Sequence, residues 1–368
     1  MKKLFALILA LAMVFSLAAC GGGDTQQGSD SKDDGKVYTV SLQFSFPETN
    51  AGPLEEVLDQ MEEASNGRLK FELYYSNSMI ANADVVDALQ SGTLNIAGMM
   101  PAEYSILALN GRLSGVPFLG YESYEAANDI YLNVLWNNED LMAEYTDNGL
   151  VLWAASMCPG YQLYTTTKIQ EVTPALFSGL TIMTENPEMQ SFISSNSGAA
   201  VAAFPPDFYA NLSNGVCEGL VQHLNCLTAF GCVELVETAI FFGEGGFYNY
   251  PIVYCMGQGF WDSLPEDIQQ IFIDYSVAYS AASFNNDKNQ YEENLANMEA
   301  AGVNMITMSE AQIAEWQEAF QPVLNNLLSS LGNDAAESVY QQFKDTIASY
   351  DAATFQVGEN NFGQVYSR

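Results

Sequence analysis

The stretch LFSGLTIMTENPEMQSFISSNSGAAVAAFPPDFYANLSNGVCEGL, residues 176–220, reads as two strand–helix units in succession. Its first apolar run, residues 180–183, is short and leads into the turn-forming pair Asn186-Pro187, as expected of a buried strand. A helix is predicted from Pro187 to about residue 193, because Gly198 interrupts the pattern beyond it. The first unit is therefore a buried strand followed by a helix.

The second unit repeats this pattern. An apolar run over residues 199–204 stops at Pro205-Pro206, and residues 207–212 are predicted to form a short helix. Strands that alternate with helices predict an α/β fold with a mostly parallel sheet. Such sheets bind ligands at the carboxyl ends of their strands, so the loops 184–187 and 204–207 are the first candidates for a small-molecule site.

The beginning of the chain has the composition of a secretory signal. Lys2 and Lys3 precede an apolar segment, and small residues then lead to Leu17-Ala18-Ala19-Cys20, which resembles a bacterial lipobox. We expect residues 1–19 to be a signal peptide, Cys20 to be the lipidated first residue, and residues 20–36 to be a flexible tether. The alternative is an ordinary signal peptide with an incidental cysteine. Either way the sequence predicts an extracytoplasmic protein, and the lipobox predicts anchoring to the cell membrane by the lipid on Cys20.

Size and charge narrow the class of protein. About 330 residues remain after the tether, which favours two lobes over one core. The chain has 11 Lys and Arg against 45 Asp and Glu. Removal of residues 1–19 takes away two lysines and no acid, so the mature chain has 9 against 45, a net charge of −36. A surface this acidic repels nucleic acid, which we exclude as a partner.

Beyond Cys20 the chain has five cysteines, an odd number, so at least one thiol has no partner within the chain. Their spacing, with a single histidine at position 223, does not suggest a zinc site, and no cofactor is predicted. Buried free thiols are the favoured interpretation. The sequence leaves open a disulfide among the three central cysteines, Cys217, Cys226 and Cys232.

The order of predicted strands and helices divides the folded part into two lobes. Cys158-Pro159-Gly160 is a suitable place for the chain to cross into the second lobe, and residues 248–256 are expected to bring it back. The predicted boundaries are residues 37–159 with 250–285 for lobe I, and 160–249 with 286–368 for lobe II. A double crossing makes a hinge, so we expect a ligand cleft between lobes that close upon it.

Helix signals complete the outline. Residues 121–145 are predicted to form one long helix. Ser263-Leu264-Pro265-Glu266 has the pattern of a capping box, and no helix breaker follows before Gly302. A helix of about 36 residues is on the order of 55 Å long and should span both lobes. Ser309 and Gln312 predict the start of another helix, and a last one is expected over residues 334–350.

Four short blocks, taken together, resemble one protein family. They are GTLNIA at 92–97, VPFL at 116–119, GLTI at 179–182 with the P-x-D-x-Y-x-x-L-x-x-G pattern at 205–215, and GFWDSLP at 259–265. The chain is similar in these blocks to the solute-binding proteins of TRAP transporters, the DctP-type family. The resemblance implies a two-lobed, periplasmic-binding-protein-like fold with a hinge, a cleft and a long helix that bridges both lobes. It also implies a small-molecule solute and membrane-embedded permease subunits as partners.

The resemblance carries over less well to the ligand. The family usually binds an organic acid through an arginine directly after the Gly-Leu-x-Ile strand, where this chain has Met183. A second arginine of the family matches Gln162. An arginine fork suits a carboxylate because two parallel hydrogen bonds form. Since neither arginine is present, we expect a neutral, zwitterionic or cationic solute rather than a clamped carboxylate.

The candidate ligand contacts are apolar and polar side chains at the ends of the predicted strands. They are Phe46, Glu48, Asn77, Met100, Glu103, Met157, Tyr161, Gln162, Met183, Glu185, Phe204, Gln222, Asn225 and Asn249. The alternative interpretation without a ligand is that the apolar members pack in the core and the glutamates are solvated acids of loops. As a set they suit a solute with apolar surface, oriented by amides and acids, whose cationic group is attracted to aromatic faces.

Two other function classes were compared with a transport receptor. An enzyme is disfavoured, because the sequence has no Gly-x-Ser-x-Gly elbow, no phosphate-binding glycine loop and only one histidine. The number of acids leaves a secreted hydrolase open as the weakest alternative. A ligand-sensing domain for a signalling partner would use the same closing lobes, so the sequence does not separate it from transport. We predict a transport receptor without catalytic residues.

Overall fold

The computed structural model describes residues 35–203, 205–332 and 334–366. The predicted signal peptide, Cys20 and Phe204 lie outside the described residues. Eleven strands are present in the described part: β1 (Tyr38–Gln43), β2 (Leu69–Tyr74), β3 (Ile96–Met99), β4 (Leu150–Met157), β5 (Tyr161–Thr165), β6 (Thr181–Met183), β7 (Ala199–Val201), β8 (Gly219–His223), β9 (Thr238–Phe241), β10 (Pro251–Gly257) and β11 (Asn304–Thr307).

The α-helices of the same residues complete the inventory. They are α1 (Gly52–Ala64), α2 (Val85–Ser91), α3 (Ala108–Leu113), α4 (Tyr124–Trp136), α5 (Glu139–Thr146), α6 (Pro187–Ser195), α7 (Pro205–Ser213), α8 (Leu224–Ala229), α9 (Gln258–Ser263), α10 (Glu266–Ala300), α11 (Glu310–Leu331) and α12 (Asp334–Ser349). In this part of the chain no helix is long and apolar enough to span a membrane.

Two sheets form the framework, which confirms the predicted α/β class with two lobes. The first has the order β2-β1-β3-β10-β4, and the second has the order β11-β9-β5-β8-β6-β7. Both sheets are mixed rather than mostly parallel. Every antiparallel pair includes β5 or β10, the two strands through which the chain enters one sheet after leaving the other. The remaining pairs are parallel, as their helical connections require.

The chain crosses between the sheets twice, the first time where the sequence predicts it and the second time earlier than the predicted residues 248–256, most of which form β10. Residues 158–160 lead from β4 into β5, and residues 242–250 lead from β9 back to β10. The crossovers run side by side, because the amide of Tyr161 donates to the carbonyl of Tyr248 at 2.8 Å. A Cβ atom on Gly160 would lie 2.7 Å from the carbonyl oxygen of Gly245, so this close approach requires glycine.

The long helix α10 spans both sheets, as predicted. Its 35 residues reach on the order of 50 Å. Its first half packs on α1 and β4 of the first sheet, where the indole of Trp153 donates to the carbonyl of Phe272 at 2.7 Å. Further along, the carbonyl of Asp287 accepts a 2.8 Å hydrogen bond from Asn225 of α8, beside the second sheet. The helix therefore connects the two lobes along one side.

Two predictions about helix boundaries are wrong. The single helix expected over residues 121–145 is two helices, α4 and α5, because the Asn138 side chain accepts from the amide of Leu141 and begins a new helix. The capping box expected at Ser263 does not form. The N-cap residue of α10 is Pro265, which has no side-chain cap. The Ser263 hydroxyl instead donates to the carbonyl of Phe260 in α9. The capping box at Ser309 and Gln312 is present as predicted.

One hydrophobic cluster contains residues of both lobes, and the buried residues of α1 belong to a separate cluster. Phe118 lies at the centre of the first cluster with a left-handed backbone (φ 65°), and its ring contacts those of Phe192 in α6 and Phe320 in α11 at 5.1 Å. The C-terminal residues also contact the first lobe, since Asn361 donates to the carbonyl of Leu152 in β4. How residues 286–368 divide between the lobes stays a prediction.

Candidate functional site

The site is built where the two crossovers meet the carboxyl ends of β3 and β6. Asn249 Nδ2 donates to the carbonyl of Cys158 at 3.2 Å, and the amide of Cys158 donates to the carbonyl of Tyr250 at 2.9 Å. These bonds hold the crossovers together as the floor of the site. Asn249 is fully buried, and its Oδ1 accepts no hydrogen bond from the described residues.

Three tyrosines, each at most 3% exposed, pack together beside these bonds and are called the aromatic wall below. The Tyr161 ring stacks on Tyr248 with 4.6 Å between centroids and meets Tyr250 edge-on at 5.6 Å. The hydroxyls of Tyr248 and Tyr250 have partners in the loop after β6. Tyr248 shares a 3.0 Å hydrogen bond with the hydroxyl of Thr184, and Tyr250 accepts from Asn186 at 2.8 Å. The wall and the loop are therefore fixed against each other.

Glu185 presents the main charged group of the site. Its carboxylate accepts a 3.2 Å hydrogen bond from Gln222 Nε2. Burial raises the pKa of Glu185 to about 7; Glu103 adds repulsion, while hydrogen bonds from Tyr161 and Gln222 act in the opposite direction. Within the described residues Glu185 has no ion-pair partner. The site therefore has an acid that is costly to ionise and no cation to compensate it.

The loop that carries Glu185 is anchored to the first lobe. Asn186 accepts from the amide of Met189 at 2.8 Å, which caps α6, and its Nδ2 donates to the carbonyl of Gly115 at 3.0 Å. Glu188, in the first turn of α6, forms a salt bridge with Arg112 of α3. This arginine is therefore engaged with Glu188 rather than with Glu185.

The structure brings together Tyr161, Glu185, Gln222 and Asn249 of the predicted contacts around the crossovers. Met100 and Glu103 follow β3 in the other lobe, and Glu103 lies close enough to affect the Glu185 carboxyl. A third group lies at the carboxyl end of β1, where Glu48 is exposed and Asn77 accepts from Gln43 at 3.1 Å; it consists of Phe46, Glu48 and Asn77. That these residues contact a solute stays a prediction.

Four other predicted contacts are engaged with the protein itself. Both ends of the Gln162 amide bond to the backbone of residues 242 and 243, and Asn225 bonds to α10. Met157 and Met183 are fully buried. Each belongs to a hydrophobic cluster, and Met183 lies in the cluster that packs against the second sheet.

Sequence reasoning missed Asp287, Asn186 and the tyrosine pair on the returning crossover. Asp287 lies in α10, and burial raises its pKa to about 7. Its side chain is half-buried, and within a helix of 35 residues rich in polar side chains no pattern distinguishes it from the other acids. Asn186 was identified only as a turn former, although Asn followed by Pro is also a signal for a helix start. Tyr248 and Tyr250 alternate along the segment that leads into β10, and this alternation could have predicted that both rings lie on the same side.

His223 and the cysteines have structural roles. The imidazole Nδ1 of His223 accepts from the amide of Cys226 at 3.4 Å and caps α8, and burial lowers its pKa to about 4. All five cysteines of the described part are free thiols and all but Cys226 are buried, which agrees with the favoured interpretation for four of the five. In the same residues no group of three His, Cys, Asp or Glu is arranged to hold a metal ion.

Two surface depressions lie away from this site. One, of about 390 Å³, is lined by residues that include Thr166, Glu237 and Gly302, and another, of about 420 Å³, lies between α11 and α12. Neither contains a predicted contact. The geometry of the crossovers, rather than the size of a surface depression, therefore identifies the candidate site.

Comparison with known proteins agrees with this architecture. Residues 47–330 match the family model described as DctP, bacterial extracellular solute-binding protein, family 7. A curated protein of Albidiferax ferrireducens named "Solute-binding protein" is 24% identical over 271 residues, which are 70% of this chain and 75% of that protein.

Solved structures share the fold at low identity. A TRAP periplasmic solute-binding protein from Chromohalobacter salexigens with bound D-glucuronate has a TM-score of 0.73 and 17% identity, and covers 83% of this chain and 99% of its own. A marine metagenome TRAP solute-binding protein specific for aromatic acids, in complex with 3-hydroxybenzoate, has a TM-score of 0.74 and 18% identity, with coverage of 86% and 99%. At these identities the likeness establishes the fold alone.

Proposed function

The chain belongs to the DctP family of bacterial extracellular solute-binding proteins, and from the chemistry of its cleft we propose that its solute is neutral, zwitterionic or cationic. As a TRAP-type solute-binding protein it works outside the cytoplasm, binds a small solute and delivers it to a membrane permease. Its family and its structural relatives are solute-binding proteins, not enzymes. No observation favours the sensing domain or the hydrolase.

Glu185 carries the proposal about the ligand. Its carboxylate lies at the carboxyl end of β6, beside the aromatic wall, and has hydrogen bonds from Gln222 and Tyr161 but no cation. An ammonium group of a solute would supply the missing positive charge.

A carboxylate solute fits these surroundings poorly. The two related structures named above hold glucuronate and 3-hydroxybenzoate, both carboxylates. By the sequence resemblance, the family's two arginine positions match Met183 and Gln162 of this chain, and Arg112 is bound to Glu188. A carboxylate beside Glu185 and Glu103 would meet repulsion without a compensating guanidinium.

A ligand screen tests this proposal directly. We expect amines, amino acids or polyols to raise the melting temperature of the mature chain. A hundred-fold excess of solute over Kd corresponds to about 2.7 kcal/mol in the free energy of unfolding. Plain organic acids should leave the melting temperature unchanged. Glu185→Gln should weaken the binding of an amine, whereas Glu56→Gln, an exposed acid of α1, should not. Tight calorimetric binding of an organic acid that survives Glu185→Gln would overturn the proposal.

We also propose that the mature protein is anchored by a lipid on Cys20. The support is the sequence Leu17-Ala18-Ala19-Cys20 at the end of an apolar signal segment. In a bacterial host, the wild-type chain should incorporate labelled palmitate and sediment with membranes. Cys20→Ala should lose both properties and retain solute binding; a variant that stays labelled would rule out Cys20 as the lipid attachment site.

Closure of the two lobes is the proposed consequence of binding. Residues 37–159 with 250–285, and 160–249 with 286–368, would move about the two crossovers while α10 bends or rotates between them. Small-angle X-ray scattering should therefore show a smaller radius of gyration when solute is bound. An unchanged radius at saturation would contradict a closing hinge.

A further inference from the structure

His223 has a second ring nitrogen that its structural role does not use. The first, Nδ1, accepts from the amide of Cys226 at 3.4 Å and caps α8. In a neutral imidazole one nitrogen accepts and the other carries the hydrogen, so this bond assigns the hydrogen to Nε2. The pKa of His223, which burial lowers to about 4, keeps the ring neutral near pH 7. His223 therefore presents one N–H donor, at Nε2.

This donor is accessible and has no acceptor among the described residues. The hydrogen bonds of His223 in that part of the chain involve its backbone amide and Nδ1, not Nε2. Several buried side-chain atoms of the described residues lack a partner, Asn249 Oδ1 among them, but His223 Nε2 is not one of these buried atoms. The side chain as a whole is half-buried. The Nε2–H group can therefore donate to a molecule that enters from solution.

Strand pairing places His223 at the edge of the second sheet that carries Glu185. His223 is the last residue of β8 and lies opposite Tyr161, the first residue of β5; the centroids of their rings are 5.1 Å apart. β8 and β6 are parallel neighbours, with Leu220 opposite Met183. Glu185 and His223 follow this pair on adjacent strands. Both therefore lie where β6 and β8 end, beside the aromatic wall to which Tyr161 belongs.

Gln222 connects the donor to the acid and fixes both. Its side chain is 1% exposed, its Oε1 accepts from the backbone amide of His223 at 2.9 Å, and its Nε2 donates to the Glu185 carboxylate at 3.2 Å. The imidazole is held in turn by the start of α8 on one side and by the Tyr161 ring on another. The donor and the acid are thus fixed before a solute arrives, which favours selective binding.

We infer that His223 determines specificity by donating a hydrogen bond from Nε2 to an uncharged oxygen of the solute, whose ammonium group binds Glu185. This inference rests on the proposed function and narrows its ligand class to amines with a nearby hydroxyl or carbonyl oxygen. An uncharged oxygen suits this position better than a carboxylate, because a neutral imidazole supplies no charge to offset repulsion from Glu185. Amino alcohols are the simplest solutes of this kind.

Calorimetry with matched pairs of amines tests the inference. The probes are short amino alcohols and the n-alkylamines in which a methyl group replaces the hydroxyl, titrated into the mature chain near pH 7.5. We expect the best amino alcohol to bind about three- to ten-fold more tightly than its alkylamine, as one hydrogen bond between uncharged groups would give. His223→Asn should remove this preference. Because asparagine is a preferred N-cap residue, this variant should still cap α8.

The single histidine of the chain allows a direct spectroscopic readout on the wild-type protein. In protein labelled with ¹⁵N-histidine, the best amino alcohol should shift the Nε2–H resonance more than its matched alkylamine does. A histidine that only caps a helix would respond equally to both amines, and that result would overturn the inference. This readout does not depend on the folding of any variant.

Glu185→Gln separates this inference from the proposal on which it rests, because it should weaken both amines of a pair. If alkylamines bind and need Glu185, but amino alcohols gain nothing or keep their advantage in His223→Asn, the inference fails and the proposed function stands. If no amine binds the wild-type chain, the inference fails together with the assignment of Glu185 as the partner of an ammonium group.

Discussion

Glu185 is an acid whose folded-state pKa lies above its ordinary value, and this has a consequence for stability. Burial raises its pKa from 4.5 to about 7. Below pH 4.5 the carboxyl is protonated in both the folded and the unfolded chain, so it imposes no penalty. Between these values the folded chain retains a proton that the unfolded chain has lost, so the free energy of unfolding decreases as pH rises. Above about pH 7 the penalty is constant.

Glu185→Gln should therefore stabilise the ligand-free protein at high pH and not at low pH. The neutral amide avoids the charge penalty, which is about 3–4 kcal/mol because each pKa unit of the shift from 4.5 to about 7 corresponds to about 1.4 kcal/mol. Denaturant unfolding of both proteins at pH 4.5, 6 and 8 measures the difference. We expect none at pH 4.5 and the largest at pH 8. A difference that is the same at all three values would show that the carboxyl is ionised throughout, and its burial would then need a cation not yet identified.

At the scale of elements, the residue that begins α6 is expected to affect both the stability of the protein and its affinity for solute. Asn186 is buried, caps the helix through Oδ1 and ties it through Nδ2 to Gly115 and Tyr250. Asn186→Ala removes the cap and leaves buried groups unpaired, so we expect a loss of about 2–3 kcal/mol in the free energy of unfolding. Because Glu185 is the preceding residue, solute affinity should fall as well.

Ser309→Ala is the matched control for that variant. Ser309 forms a capping box with Gln312 at the start of α11, in an exposed position outside the cleft. Its loss should cost about 1 kcal/mol and leave solute affinity unchanged. Chemical denaturation and calorimetry of both variants measure the two quantities. If Asn186→Ala lowers stability without weakening the solute, then Asn186 supports the helix alone and does not position Glu185.

Local signals predicted most elements, and long-range packing decided the rest. The strand ending at Met183 and the capping box of α11 follow from periodicity, proline and capping residues, which act over a few positions. The break between α4 and α5 depends on Asn138, whose cap competes with a continuous helical pattern. The site is less predictable than the fold, because the partner or lack of partner of an acid such as Asp287 is set by residues distant in sequence.

The whole molecule is a strongly acidic body around an acidic cleft. Its formal net charge is −34, and it becomes −36 without residues 1–19. A field of this sign attracts cations from solution and repels anions, and it acts mainly on the rate of association. Since the Debye length falls from about 30 Å at 0.01 M salt to about 10 Å at 0.1 M, the effect is sensitive to ionic strength.

Salt dependence therefore separates the long-range field from the local contact with Glu185. The association rate of an amine solute, followed by stopped-flow fluorescence of the four tryptophans, should fall several-fold between about 0.01 M and 0.5 M salt. Glu185→Gln changes the net charge by only one in −34, so it should keep nearly the same salt slope while dissociation becomes faster. A carboxylate solute would show the opposite slope, because salt would screen its repulsion. An association rate that rises with salt would thus contradict a cationic ligand, independently of any assignment of individual contacts.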